Sequence, residues 1–245
     1  MRIAISGSAC QGKTTLVKDF LKYWPTYSRS NESYRKLIKE ENIKINKEVD
    51  QESQWKILNC LIDDIQSTQK GDKIIFDRCP LDNLVYSLWA EEKGSSDIDK
   101  KFIEKCIPLV QESMKSIDIV FFLPITKVAP VKIEEKKSRE IDILFIQEID
   151  NIFKVIEKNL MRNGICPFLA KDDRPPIIEI FGNPEQRIEM IKFYLNDKGE
   201  LIEDETSVLD QENLDDMERL LKAQKSALFE EKQEDRIRKK IITGK

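Results

Sequence analysis

An α/β fold, with a mainly parallel sheet and helices on both faces, is the class this sequence predicts, and three observations predict it. Ile3, Ala4 and Ile5 form a short apolar run that passes through "SGSACQG" into Leu16, Val17, Phe20 and Leu21 at helical spacing, giving the order strand, glycine loop, helix. "KIIFDR" and "IDIVFFLP" are further apolar runs without polar alternation, as strands buried on both faces show. Helical patterns separate these runs, and such alternation implies crossover connections and parallel strands.

Taken in order, the elements have local reasons. The stretch "YWPTYSRSNESYRK" is aromatic, polar and interrupted by proline, so it holds either a short strand or the wall of a pocket. Asp50 reads as a helix cap, because Trp55, Leu58, Ile62 and Ile65 recur three and four residues apart, and Gly71 closes that segment. Pro80 suits the first turn of the helix "PLDNLVYSLWA". "KVAPVKIEEKKSRE" is charged and aperiodic, whereas Ile141, Phe145, Ile149, Ile152, Ile156 and Leu160 share one face of a long helix. "PPIIEIFGNPEQRIEMIKFYL" closes the pattern as strand, turn and helix.

At 245 residues the chain suits one such domain with an appendage, divided here into 1–196 and 197–245. Residues 200–218 carry nine acidic side chains and no basic one, while "RIRKK" follows at 236–240. Leu214, Met217, Leu221 and Leu228 form a narrow helical stripe, which points to a charged helical tail able to dock on another helix and hence to a homo-oligomer. No internal repeat is evident.

Composition excludes several chemistries. The chain has no histidine, which removes serine-triad hydrolysis and histidine-ligated metal sites and leaves carboxylates as the only strong bases. Its five cysteines, Cys10, Cys60, Cys79, Cys106 and Cys166, form no C-x-x-C pair and read as reduced cytoplasmic thiols. A formal net charge of −4 argues against a broad basic nucleic-acid surface. A signal-peptide core and a run of about 18 apolar residues are both missing, so the expectation is a cytoplasmic protein with no membrane partner.

Gly7, Gly12, Lys13 and Thr14 fit G-x-x-x-x-G-K-[ST], a phosphate-binding loop. Its backbone N–H groups, across Gly7, Ser8, Ala9, Cys10, Gln11, Gly12, Lys13, Thr14 and Thr15, curl around a polyphosphate at a helix N-terminus. Lys13 then reaches the β- and γ-phosphates, and the Thr14 hydroxyl ligates magnesium. Asp77 and Arg78 end an inner strand, the edge where open α/β sheets collect ligands. Asp77 there holds magnesium, takes the proton of an attacking hydroxyl or caps the next helix; Arg78 clamps a phosphate or pairs with Asp77. Trp24, Tyr27, Arg29, Tyr34 and Arg35 offer ring faces and cations to a substrate, and Gln54 offers paired hydrogen bonds to a base edge.

With "GSACQGKT", "FDRCPLDNLVYSLWA" and a lone arginine in a charged segment, the chain resembles the P-loop nucleoside and nucleotide kinases, nearest to the phage-type nucleotide kinases and the nicotinamide riboside kinase domain. The resemblance covers 1–196 and implies a five-stranded parallel sheet of the P-loop NTPase type. It further implies ATP- and Mg2+-dependent phosphoryl transfer to a nucleoside, a nucleoside monophosphate or a related small molecule. By position, Asp77 is the strand-end acid, Arg78 the phosphate- or substrate-binding arginine, and Arg139, flanked by Lys136 and Lys137, the arginine of a lid over 125–142. Gly182, Asn183 and Pro184 fall where related kinases lay adenine against backbone. Two other readings stand beside this one: a kinase of a hydroxymethylated base within DNA, and a nucleotide-binding switch or assembly protein that turns over no acceptor.

Overall fold

In the computed structural model, which describes residues 1–31, 33–126, 142–163 and 174–202, the first apolar run becomes β1 (Arg2–Ser6) at the centre of a five-stranded sheet. β3 (Ile74–Asp77) and β4 (Ile119–Phe122) flank it in parallel, so that Ile3 is matched with Ile75 on one side and Ile119 on the other. β2 (Ser28–Arg29) and β5 (Ile177–Glu179) form the edges, giving the parallel order β2-β3-β1-β4-β5. The chain fills the β3 side first and then crosses to β4, which leaves a crevice beyond the carboxyl end of β1.

Side chains alternate across the sheet. Ala4, Phe76, Val120 and Phe122 face one layer, made by α3 (Gln51–Gln66), α4 (Pro80–Lys93), α5 (Lys100–Met114) and α6 (Ile143–Asn163). Ile3, Ile5, Ile75 and Phe121 face the other, made by α1 (Lys13–Tyr23) and α7 (Pro184–Lys192). The resemblance's expectation of a five-stranded parallel sheet is therefore met.

Local signals behave as their chemistry requires. Asp50 accepts from the Ser53 N–H at the start of α3, and Pro80 opens α4. The aromatic stretch holds both β2 and a helix, α2 (Ser33–Glu40). The sequence reading assigns no element to 100–114, where Pro108 interrupts the pattern; the structure places α5 there, started by Asp99 and anchored by Phe102, Ile103, Cys106, Val110 and Met114. At the end of the described residues, 196–202 turn back onto α1: Trp24 Nε1 donates to the Asn196 carbonyl and the Tyr27 hydroxyl to that of Gly199. Of the lid expected over 125–142, residues 127–141 lie outside the described residues, as does the tail from 203 onward.

Gly7 shows how tightly the loop is set against the sheet. Its φ is +134°, and a Cβ there would stand 2.8 Å from the Leu123 carbonyl oxygen at the end of β4. Gly7→Ala is expected to lose about 3 kcal/mol of stability through backbone strain and overpacking. Urea unfolding checks this, and a loss below about 0.5 kcal/mol, ordinary for a tolerated surface change, would contradict it.

Candidate functional site

The glycine loop 7–12 leads into α1 with Gly12 in the left-handed region at φ 80°, no side-chain cap and no acidic residue in the first turn. The first amides of α1 are therefore left for an anion. Cys10 also has positive φ, at 63°, and the Ser8 hydroxyl is buried without a hydrogen bond among the described residues. Lys13 folds back over this loop, its Nζ donating to the carbonyls of Gly7 at 2.7 Å and Ser8 at 2.5 Å. Burial, with the nearby Arg78 charge, lowers its ammonium pKa from 10.5 to about 7, against the opposing pull of Asp82 and Asp77.

One turn further the loop meets the end of β3. The Thr14 hydroxyl donates to Asp77 Oδ2 at 2.6 Å, and Arg35 Nη2 donates to the same oxygen at 2.8 Å and to Thr14 Oγ1 at 3.1 Å. Arg29 Nη2 approaches that oxygen at 3.4 Å. The second oxygen, Asp77 Oδ1, is buried with no partner among the described residues. Burial pushes the Asp77 carboxyl up, but the Thr14 hydrogen bond and the charges of Arg35, Lys13 and Arg78 outweigh it and hold it below its ordinary value.

Arg78 follows at φ 93°, a strained conformation for a residue with a Cβ. Asp82, one turn into α4, holds it there: Oδ1 accepts from Arg78 Nη1 at 3.1 Å, while Oδ2 accepts from the Ser6 hydroxyl at 2.8 Å and the Cys79 N–H at 3.1 Å. Of the described charged groups that meet here, Lys13, Arg29, Arg35 and Arg78 are basic and Asp77 and Asp82 acidic. A positive excess within a chain of net charge −4 marks an anion site.

The structure brings together most of the residues singled out in the sequence. Residues 7–14, Asp77, Arg78 and Arg29 converge, with Thr15 exposed beside them. Tyr27 does not join them; it is buried under α1, edge-on to Phe20, because that aromatic side chain completes the core on the far face. Gln54 is buried between α3 and α4, where its Oε1 accepts from Asn83 Nδ2 at 2.7 Å and Ser87 Oγ at 3.3 Å; Asn83 Oδ1 and, elsewhere on α4, the Tyr86 hydroxyl have no partner among the described residues. Gly182, Asn183 and Pro184 form the turn into α7, with the Asn183 oxygen used to cap it through the Gln186 N–H. Arg139, with Lys136 and Lys137, lies outside the described residues. Asp82 was missed, although its place four residues after Arg78 and third in a proline-led helix is a capping signal.

Among the described residues no three His, Cys, Asp or Glu side chains cluster as a metal cage, and no helix is long and apolar enough to cross a membrane. A hard divalent ion that keeps most of its waters needs no cage; Thr14 Oγ1 and the unpartnered Asp77 Oδ1 fit it.

A family model described as an AAA domain matches residues 2–168, from β1 through α6. The chain belongs to that family. Among solved structures, deoxyadenosine kinase from M. mycoides with products dCMP and a flexible dCDP bound is similar at a TM-score of 0.59 and 18% identity, over 78% of this chain and 96% of that one. Thymidylate kinase from Candida albicans is similar at 0.53 and 18%, over 83% and 95%. The NadR protein in complex with NR follows at 0.48 and 18%, over 69% of this chain and 44% of that one. No curated protein matches the chain. The likenesses to deoxyadenosine kinase and thymidylate kinase establish the fold of the nucleoside and nucleotide kinases, with the resemblance read in the sequence borne out at that level.

Lys13 generates a pH signature. Its pKa is lower folded than unfolded, so between about 7 and 10 the unfolded chain binds more protons and stability rises with pH. Unfolding free energies of wild type and Lys13→Met at pH 7 and pH 9.5 are expected to diverge, the wild type gaining on the variant. Parallel profiles would contradict the buried ammonium.

Proposed function

We propose that the protein transfers the γ-phosphoryl group of ATP to a nucleoside or nucleoside monophosphate, with the monophosphate as the better-fitting acceptor. The observation that supports this is the convergence of Thr14, Arg29 and Arg35 on Asp77, within the fields of the Lys13 and Arg78 charges, at the crevice beyond β1 and β3. Loop amides and the α1 N-terminus would hold the polyphosphate, and Lys13 would bring a positive charge to the oxygens on which charge spreads during transfer. Thr14 Oγ1 and Asp77 Oδ1 would hold Mg2+, which when bound neutralises phosphate charge.

The choice of acceptor rests on Asp77. Its carboxylate accepts from Thr14 and Arg35 and is held below the ordinary range, which makes it a weak base for a hydroxyl. An acceptor phosphate brings its own anionic nucleophile, and Arg29, Arg35 and Arg78 are the cations to orient it. Asn83 Oδ1, beside Gln54, and the hydroxyl of Tyr86, whose ring lies under Arg78, are buried without partners among the described residues and suit the polar edge of a base. Arg139 would complete the cation set from the 125–142 segment, and the turn 182–184 would lie along adenine.

Radiolabelled γ-phosphate transfer to a panel of nucleosides and nucleoside monophosphates tests the reading. Transfer to at least one monophosphate is expected, and ATP binding with no transfer to any of them would overturn it. Lys13→Ala is expected to lower the rate by a factor on the order of 10³ while the melting temperature shifts little. Near-wild-type turnover by that variant would remove Lys13 from the chemistry.

A further inference from the structure

Arg187 lies on α7, far in sequence from the loop, yet its side chain is buried, with only 5% of the residue exposed. Nη1 donates to the Gln11 carbonyl at 2.7 Å, and a Cβ placed on Gly12 would stand 3.0 Å from that nitrogen. Burial lowers its guanidinium pKa, with no carboxylate beside it among the described residues to offset the cost. A buried cation without an ion pair is expensive, so its short contact with the Gln11 carbonyl, the one hydrogen bond it makes among the described residues, carries the reason for its position.

That contact acts on a peptide unit of the phosphate loop. The Gln11–Gly12 bond is trans, and in a planar trans peptide the Gly12 N–H points opposite to the Gln11 carbonyl. Pinning the carbonyl toward α7 therefore turns the Gly12 amide to the other side of the loop. Gly12, at φ +80°, has the conformational freedom to let this peptide rotate, so an external clamp is what fixes it. α7 itself is set by the 182–184 turn through the reciprocal Asn183 and Gln186 hydrogen bonds.

We propose that Arg187 is a positioning residue for polyphosphate: by holding the Gln11 carbonyl it aims the Gly12 amide into the anion site and ties the α7 turn to the phosphate loop. This rests on the loop's role in the function proposed above, but not on the acceptor or on turnover.

The test titrates ATP and inorganic tripolyphosphate separately into the full-length wild type, Arg187→Met and Arg187→Lys. Arg187→Met is expected to bind both about tenfold more weakly, the worth of one charge-assisted hydrogen bond, and Arg187→Lys to recover most of the loss. Equal tripolyphosphate affinity in wild type and Arg187→Met would overturn the proposal, as would weakening confined to ATP, which would place Arg187 at the base. Should Arg187→Met fail to fold, hydrogen exchange over residues 7–14 in Arg187→Lys decides: faster exchange than wild type supports the clamp, and unchanged exchange overturns it. Wild-type protein that binds ATP and tripolyphosphate but transfers nothing would sink the kinase reading and leave this one standing.

Discussion

A carboxylate at the end of a buried parallel strand must be compensated, and Asp77 is compensated by residues from three other elements. Thr14 comes from α1, Arg29 from β2 and Arg35 from α2, all reaching the same oxygen. Removing a buried ion's partners costs several kcal/mol, so the fold keeps these segments together or loses Asp77 as an ionised group. The same demand concentrates positive charge beside the glycine loop. On the proposed function, structure and anion recognition share one set of contacts.

The loop and its flanking residues are held from three directions, by steric contact and by charge-assisted hydrogen bonds. Leu123 at the end of β4 leaves no room for a side chain at Gly7, Asp82 links Ser6 to the strained Arg78, and Arg187 grips Gln11 from α7. A loop whose amides must converge on an anion gains from being set beforehand, because no reorganisation is then required when charge develops. The two groups that fit Mg2+, Thr14 and Asp77, are already in contact across this frame.

Much of this was legible in the sequence because its signals are local. Continuous apolar runs gave away β1, β3 and β4, the glycine spacing marked the turn from β1 into α1, and Asp50 and Pro80 marked helix starts. What escaped depends on distant packing. β2 spans only Ser28–Arg29, too short for any periodicity, so its stretch reads as a short strand or a pocket wall without deciding between them; α2 in the same stretch carries no signal of its own, and Pro108 masks the pattern of α5. Tyr27 carries the same side-chain chemistry whether it lines a pocket or fills a core, and only α1 and the 196–202 turn decide for the core. Arg187 has no sequence signal at all, since its partner lies 176 residues away.

The central claim is that Asp77 and Thr14 form the magnesium end of a preset phosphate site, and calorimetric titration of ATP with and without Mg2+ tests it most directly. Wild type is expected to bind ATP more tightly as Mg2+ is added, and Asp77→Asn, which keeps the shape but not the charge, to lose most of that dependence. Identical magnesium dependence in the two proteins would contradict the account.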